Sequence, residues 1–372
     1  MLDRLVHGFR RFYNILGNTV RLYIFNRPSP STVSGYHGRR RVRYRSQNRD
    51  LETIRHEIEW IERFRKSDLY HFVPRLLDAS VEFGNAYYDI QYYPYPSLSV
   101  ILHKNMNASF FVRRRWDILF HGLAETLYRD QNSLEVPPDY LQRELFEPLQ
   151  RQIRSVPANS TPGKLLRTDR ARINGAELIG ITGILQLLMQ NEEFCSRMVP
   201  QRLHCIHGRM SLENILCGLS AKRMVLLHGG GRPHGIYGDV AKDVARLYHE
   251  LRGYLIHLQE RQYSLILQIT NDYPELDFEI LNTGLRDRLV DNYVMVRDAV
   301  ETWVQPHHGN VLYRASFYEA CEPLFDLDRK EMRRSEQLML SATAMQRMNE
   351  WLQRYHADLL DQLISSAPKE KQ

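Results

Sequence analysis

The chain has 372 residues, 43% hydrophobic and 25% charged, with a formal net charge of +6. That is the balance of an ordinary globular protein, with room for one large domain or two lobes. No run of about 18 apolar residues occurs, which argues against a membrane-spanning helix, and Cys195, Cys205, Cys217 and Cys321 are too few and too scattered for a disulfide framework.

In chain order, Leu2, Leu5, Val6, Phe9, Phe12, Tyr13, Leu16 and Val20 fall at helical spacing. Arg4, Arg10, Arg11 and Arg21 interrupt the apolar character, so this is not the h-region of a secretory signal. Residues 1–25 read either as a helix packed on its own domain or as a basic amphipathic segment lying on an anionic membrane. Residues 27–34 read as loop, and Arg39–Arg45 as a strand, expected at a solvated edge. A helix follows over residues 50–65, with Ile54, Ile58, Ile61 and Phe64 on one face. Residues 73–81 and 86–93 are strand candidates around a turn at Phe83–Asn85, and Pro94 and Pro96 end the second. Beyond them, residues 109–130, 137–155, 175–195, 239–260, 284–304 and 328–364 each show three- and four-residue apolar spacing.

Strands first and helices later predict an α+β chain with a small strand-bearing lobe and a larger helical one. The expected division is a basic N-terminal segment at 1–34, a small lobe at 35–95, a helical lobe at 96–364 and a flexible tail at 365–372. Charge follows a similar division: residues 1–66 carry 15 Arg and Lys against 6 Asp and Glu, and the remainder is net −3. Neither an RNA-binding signature nor a zinc finger accompanies the basic part, so no nucleic-acid partner is expected. The cysteines read as small buried thiols, which fits a reducing cytoplasm.

The chemistry is concentrated in one stretch, Leu203–Leu216, which reads Leu-His-Cys-Ile-His-Gly-Arg-Met-Ser-Leu-Glu-Asn-Ile-Leu. Met224–Gly231 and Gly238–Ala245 follow it. Here the chain resembles the aminoglycoside phosphotransferase and choline kinase-like family, especially its capsule-biosynthesis-associated branch. That family's loop reads His-Gly-Asp, four residues, then Asn-Ile-Leu. A strand with an Ile-Asp pair comes next, and then a helix opening on Gly-Asp-x-x-x-Asp-x-Ala. His207, Gly208, Asn214, Gly238, Asp239, Asp243 and Ala245 stand where the pattern wants them. Arg209 stands at the catalytic aspartate's position and His228 at the metal-binding aspartate's. More loosely, Arg172–Glu177 resembles the Asn-Gly segment of that branch, Tyr92–Leu98 its hinge, and Glu322–Asp326 its C-terminal end. Glu57 corresponds to the helix glutamate that pairs with a strand lysine. The resemblance implies a bilobal, protein-kinase-like fold.

The replacements have chemical consequences. Phosphoryl transfer is positioning and electrostatic stabilisation, with one carboxylate taking the substrate proton and others holding magnesium. Arginine stays charged and accepts no proton. A neutral imidazole is a poor ligand for magnesium, which prefers hard oxygen. The only lysine in residues 1–96 is Lys66, after the helix, so the phosphate-contacting strand lysine is missing as well. Arg43 and Arg45 are the candidates to stand near that place, and with Arg209 they form a possible anion-binding set.

The sequence therefore predicts a catalytically impaired phosphotransferase-like protein, a pseudokinase, that acts by binding, scaffolding or regulation. The family likeness suggests a setting in cell-surface polysaccharide or glycolipid assembly. No metal and no cofactor are expected, beyond weak or metal-independent nucleotide binding. The partner would be a protein or a small anionic ligand, in the cytoplasm or at the periphery of a membrane. The alternative is an active ATP- or GTP-dependent small-molecule kinase using displaced carboxylates, with Glu213, Asp239 or Asp169 as candidates. Two further features have milder readings: Gly229–Gly231 is a turn rather than a phosphate cradle, and His204, Cys205, His207 and Cys217 match no zinc-site spacing.

Overall fold

The computed structural model describes residues 32–36, 39–45, 51–67, 71–82, 85–104, 109–129, 131, 133–218, 220–230, 235–252, 254–270, 273–328 and 332–366. The expected segment at 1–25, most of the loop at 27–34 and the end of the tail lie outside them. The chain is mixed α+β, a small strand-rich region followed by a mainly helical remainder. It divides into two compact units. The first takes the described residues up to Ser133 together with His204–Gly238, and the second takes the rest. The division thus falls after residue 133, and the loop carrying Arg209 belongs with the N-terminal strands.

In the first unit, strands β1 (Thr32–Tyr36), β2 (Arg39–Arg45), β3 (Leu76–Glu82) and β4 (Asn85–Gln91) form one antiparallel sheet in the order β1-β2-β4-β3. Two expectations change here. Residues 32–34, read as loop, are strand, and β2 is not an edge but is paired on both sides. An arginine-rich strand can sit inside a sheet because its neighbour supplies a counter-charge. Asp89 on β4, with no exposed surface, receives Arg41 Nη1 at 2.5 Å and both Nε (2.7 Å) and Nη2 (2.8 Å) of Arg43. The fork geometry suits a carboxylate.

Helix α1 (Leu51–Phe64) buries Ile54, Ile58, Trp60, Ile61 and Phe64 as one stripe. Glu57 lies on that same buried face and is its one charged residue, beside polar Thr53. After Pro94 and Pro96 the chain enters helix α2 (Leu98–His103), whose N-cap Ser97 accepts from Val100 N–H. This connector also anchors the later loop. Cys217 N–H donates to Pro96 O at 2.9 Å and Ser99 N–H to Leu212 O at 3.1 Å. Buried Arg115 of helix α3 (Ser109–Glu125) donates to Gly218 O at 2.8 Å.

The second unit holds, among others, the helices Thr161–Arg167, Ile181–Gln190, Glu192–Met198, Val240–Leu251, Thr283–Trp303, Val311–Phe325 and Arg334–Tyr355, and Phe194, Phe317 and Trp351 from three of them form an aromatic centre with ring centroids 4.8–5.7 Å apart. This unit also holds a sheet that helical spacing did not announce. Strands Tyr263–Thr270 and Tyr273–Ile280 form a hairpin, and the second runs parallel to Arg170–Ile173, which pairs in turn with Ala176–Ile179. The Asn174–Gly175 pair closes that last hairpin with both φ positive, +50° and +77°, as a two-residue turn of this type demands.

Candidate functional site

The loop from Ile206 to Asn214 hangs between strand Leu203–Cys205 and the hairpin of Ile215–Cys217 with Met224–Leu226. Its own polar groups fix its shape. Asn214 Nδ2 donates to Arg209 O at 2.9 Å, Arg209 N–H points to His207 Nδ1 at 3.3 Å, and Gly230 N–H donates to His207 O at 2.8 Å. His207 is fully buried with Trp60 edge-on at 5.6 Å. His207 and Asn214 thus serve the loop itself.

The two replaced positions and the helix glutamate meet. Glu57, without exposed surface, accepts from the Tyr88 hydroxyl at 2.6 Å, and its other oxygen lies 3.4 Å from His228 Nδ1 and 3.7 Å from an Arg209 guanidinium nitrogen. Tyr88 Oη is also 3.3 Å from His228 Nδ1. The tyrosine gives its one proton to Glu57, and His228 Nδ1 lies within reach of both the phenol oxygen and the carboxylate. Tyr44, across β2–β4 from Tyr88, stacks on that ring at 5.0 Å and meets His228 edge-on at 4.8 Å. His228 adopts a left-handed backbone, φ +62°, a conformation that side chains other than glycine's rarely take. Gly229 and Gly230 behind it leave no room: a Cβ on Gly229 would stand 2.4 Å from the Trp60 ring, and one on Gly230 2.7 Å from His56 O. The described glycines of Gly229–Gly231 therefore let the chain pass Trp60, the turn reading rather than a phosphate cradle.

The remaining sequence candidates stand elsewhere. Arg43 is engaged by Asp89 and lies over the Tyr87 ring at 4.3 Å; hydrogen bonding to Asp89 holds its guanidinium pKa above the usual value. Arg45 is exposed at the end of β2. In the second unit, Asp239 has no exposed surface and caps helix Val240–Leu251 by accepting from Ala241 N–H at 3.0 Å. Both its oxygens receive Arg314, at 2.8 and 3.2 Å. Asp243 is buried in that helix's first turn. Glu322 and Asp326 both receive Arg246, so the C-terminal motif is an ion-pair anchor. Tyr44, Tyr88 and Asp89 were not foreseen; the signal was there in the paired alternation of β2 and β4, which puts 44 opposite 88 and 43 opposite 89.

Chemically, the Glu57 cluster brings a guanidinium, an imidazole and a phenol to one buried carboxylate. Among the described residues, no three His, Cys, Asp or Glu side chains converge as metal ligands. Burial pushes the Cys205 and Cys217 thiols up to about 11, which keeps them from acting as thiolate nucleophiles near neutral pH.

The buried ring of His207 makes a pH prediction. Burial first, and then the charge of His228, lower its pKa to about 3. The unfolded chain takes up this proton near 6.5. The contribution is therefore fully present above about pH 6.5 and is lost as pH falls towards 3, at up to about 1.4 kcal/mol per pH unit. Urea midpoints of His207→Gln should decline less steeply than those of the unaltered protein between pH 6.5 and 4.5. His249, also lowered by burial, will keep part of the slope, but identical slopes in the two proteins would remove His207 from the account.

No family model matches the chain, and no curated protein matches it. Among solved structures, it is similar to an aminoglycoside-3'-phosphotransferase of type VIII, at 12% identity and a TM-score of 0.34, over 90% of this chain and 98% of that one. At that level of likeness the neighbour decides neither the fold nor the function.

Proposed function

We propose that this chain is a phosphotransferase-like protein of the protein-kinase type whose transfer centre is closed, and that it works by binding rather than by catalysis. The observation that carries the reading is the convergence of Arg209 and His228 on buried Glu57. In the family it resembles, these three positions hold a proton-accepting carboxylate, a metal-binding carboxylate and the partner of a lysine. Here one carboxylate remains, and its partners consume it. Asp239, a candidate for a displaced carboxylate, is held at both oxygens by Arg314. The reading further implies a protein or small anionic partner in the cytoplasm, in the assembly of surface polysaccharide or glycolipid. Residues 1–25 are the segment to test for contact with an anionic membrane.

The test is a thermal-shift titration with ATP and with GTP, each with and without magnesium. A closed centre predicts no shift, or one that ignores magnesium. A magnesium-dependent rise of several degrees, accompanied by nucleotide turnover, would establish the active small-molecule kinase instead.

A further inference from the structure

The second unit contains a cavity of about 340 Å³ between helices Thr283–Trp303, Val311–Phe325 and Arg334–Tyr355. Five arginines and two glutamates line it. The acids are spoken for: Glu319 receives Arg347 at 2.6 Å and Arg252 at 3.4 Å, and Glu350 receives Arg252 at 3.2 Å. Arg286, Arg297 and Arg354 also line it, and none of the three has a carboxylate within ion-pair distance among the described residues. The cavity therefore carries a net excess of three guanidinium charges. Guanidinium forks match phosphate oxygens in pairs.

The rest of the wall is three aromatic side chains with Val290 and Ser316. Tyr293, Trp351 and Tyr355 line the same cavity, with Arg354 lying 5.2 Å over the Tyr355 ring and Arg252 6.0 Å over that of Tyr293. Trp351 is buried among the core rings, so the half-buried Tyr293 and Tyr355 are the aromatic groups that, beside a cationic cluster, suit a ligand with a ring at one end and an anion at the other. A bare divalent cation is disfavoured by the charge, and a volume of about 340 Å³ suits a small ligand. We propose that this cavity binds a small phosphomonoester carried on a ring, a sugar phosphate or a nucleoside monophosphate. The site lies wholly within the second unit and does not depend on the kinase-like reading.

Isothermal titration of the full chain at low salt with adenosine monophosphate and with glucose 1-phosphate tests it, with adenosine, glucose and inorganic phosphate as controls. At least one phosphorylated ligand should bind saturably, and the one that binds tells nucleotide from sugar. Its unphosphorylated ring and free phosphate should each bind at least tenfold more weakly. Arg297→Ala should weaken binding roughly tenfold, and the triple variant Arg286→Ala, Arg297→Ala, Arg354→Ala should abolish it. Arg286 and Arg354 are exposed, so the triple variant should keep its circular dichroism; if it does not fold, Arg297→Ala alone decides. No binding of either phosphorylated ligand overturns the proposal. So does binding that survives in a folded triple variant or is unchanged in Arg297→Ala, and so does free phosphate binding as tightly as the ring phosphates.

Discussion

Replacing Asp239 with alanine is expected to cost about 4 kcal/mol of stability, read as a drop in the urea midpoint. Two losses add. The carboxylate is fully buried and bidentate to Arg314, which is itself 5% exposed, and removing one partner of a buried pair leaves an uncompensated charge at a cost of about 3–5 kcal/mol. The same side chain caps helix Val240–Leu251, and losing a cap costs about 1 kcal/mol. Arg314 keeps a second acceptor, Gly309 O at 3.1 Å, which holds the sum near the lower end. Asp239→Asn should fall between, because the amide oxygen can still cap while the charge is lost. The opposite outcome is equally informative. A carboxylate kept for metal or for proton transfer is commonly unfavourable to the resting fold, so its removal would leave stability unchanged or raise it. A neutral or stabilising Asp239→Ala would mean that Arg314 does not satisfy it, and would restore Asp239 as a displaced catalytic group.

What could be read in the sequence were the features carried by short-range periodicity. The stripe of α1, the turn-flanked pair β3 and β4, and the helices at Ser109–Glu125 and Thr283–Trp303 follow from apolar spacing alone. Pairings between distant segments could not be read. Tyr273–Ile280 lies beside Arg170–Ile173 across about a hundred residues of chain, and no local pattern announces a parallel partner. The Asn174–Gly175 turn was a local signal, yet it was absorbed into a helical reading of residues 175–195. Charge misled in one case. The arginines of β2 suggested an edge strand because their counter-ion, Asp89, comes from β4, 46 residues away from Arg43. For the site, the sequence named Glu57, Arg209 and His228 separately as exceptions to a pattern. It gave no indication that these exceptions answer one another, since a guanidinium, an imidazole and one buried acid are related only by the fold.

The second large effect concerns that cluster. Glu57→Ala should destabilise the protein by about 2–4 kcal/mol, as His228, Arg209 and the Tyr88 hydroxyl lose a common acceptor. The lower bound reflects Arg209, whose side chain is 38% exposed and whose share is screened by solvent. His228 and Tyr88 have no such recourse, being 7% and 1% exposed, so most of the loss should be theirs. Glu57→Gln, which keeps an acceptor for Tyr88, should recover part of it. Double-mutant cycles divide the account. The coupling of Glu57 with Tyr88, taken with Tyr88→Phe, should be about 1.5–3 kcal/mol, the range for a hydrogen bond to a charged group. The coupling with Arg209, taken with Arg209→Met, should be below about 1 kcal/mol. If instead Arg209 proved the dominant partner, the guanidinium would be drawn into the cluster more deeply than its exposure indicates. If Glu57→Ala cost less than about 0.5 kcal/mol, the three groups would not be neutralising one another, and the case for a closed centre would lose its support.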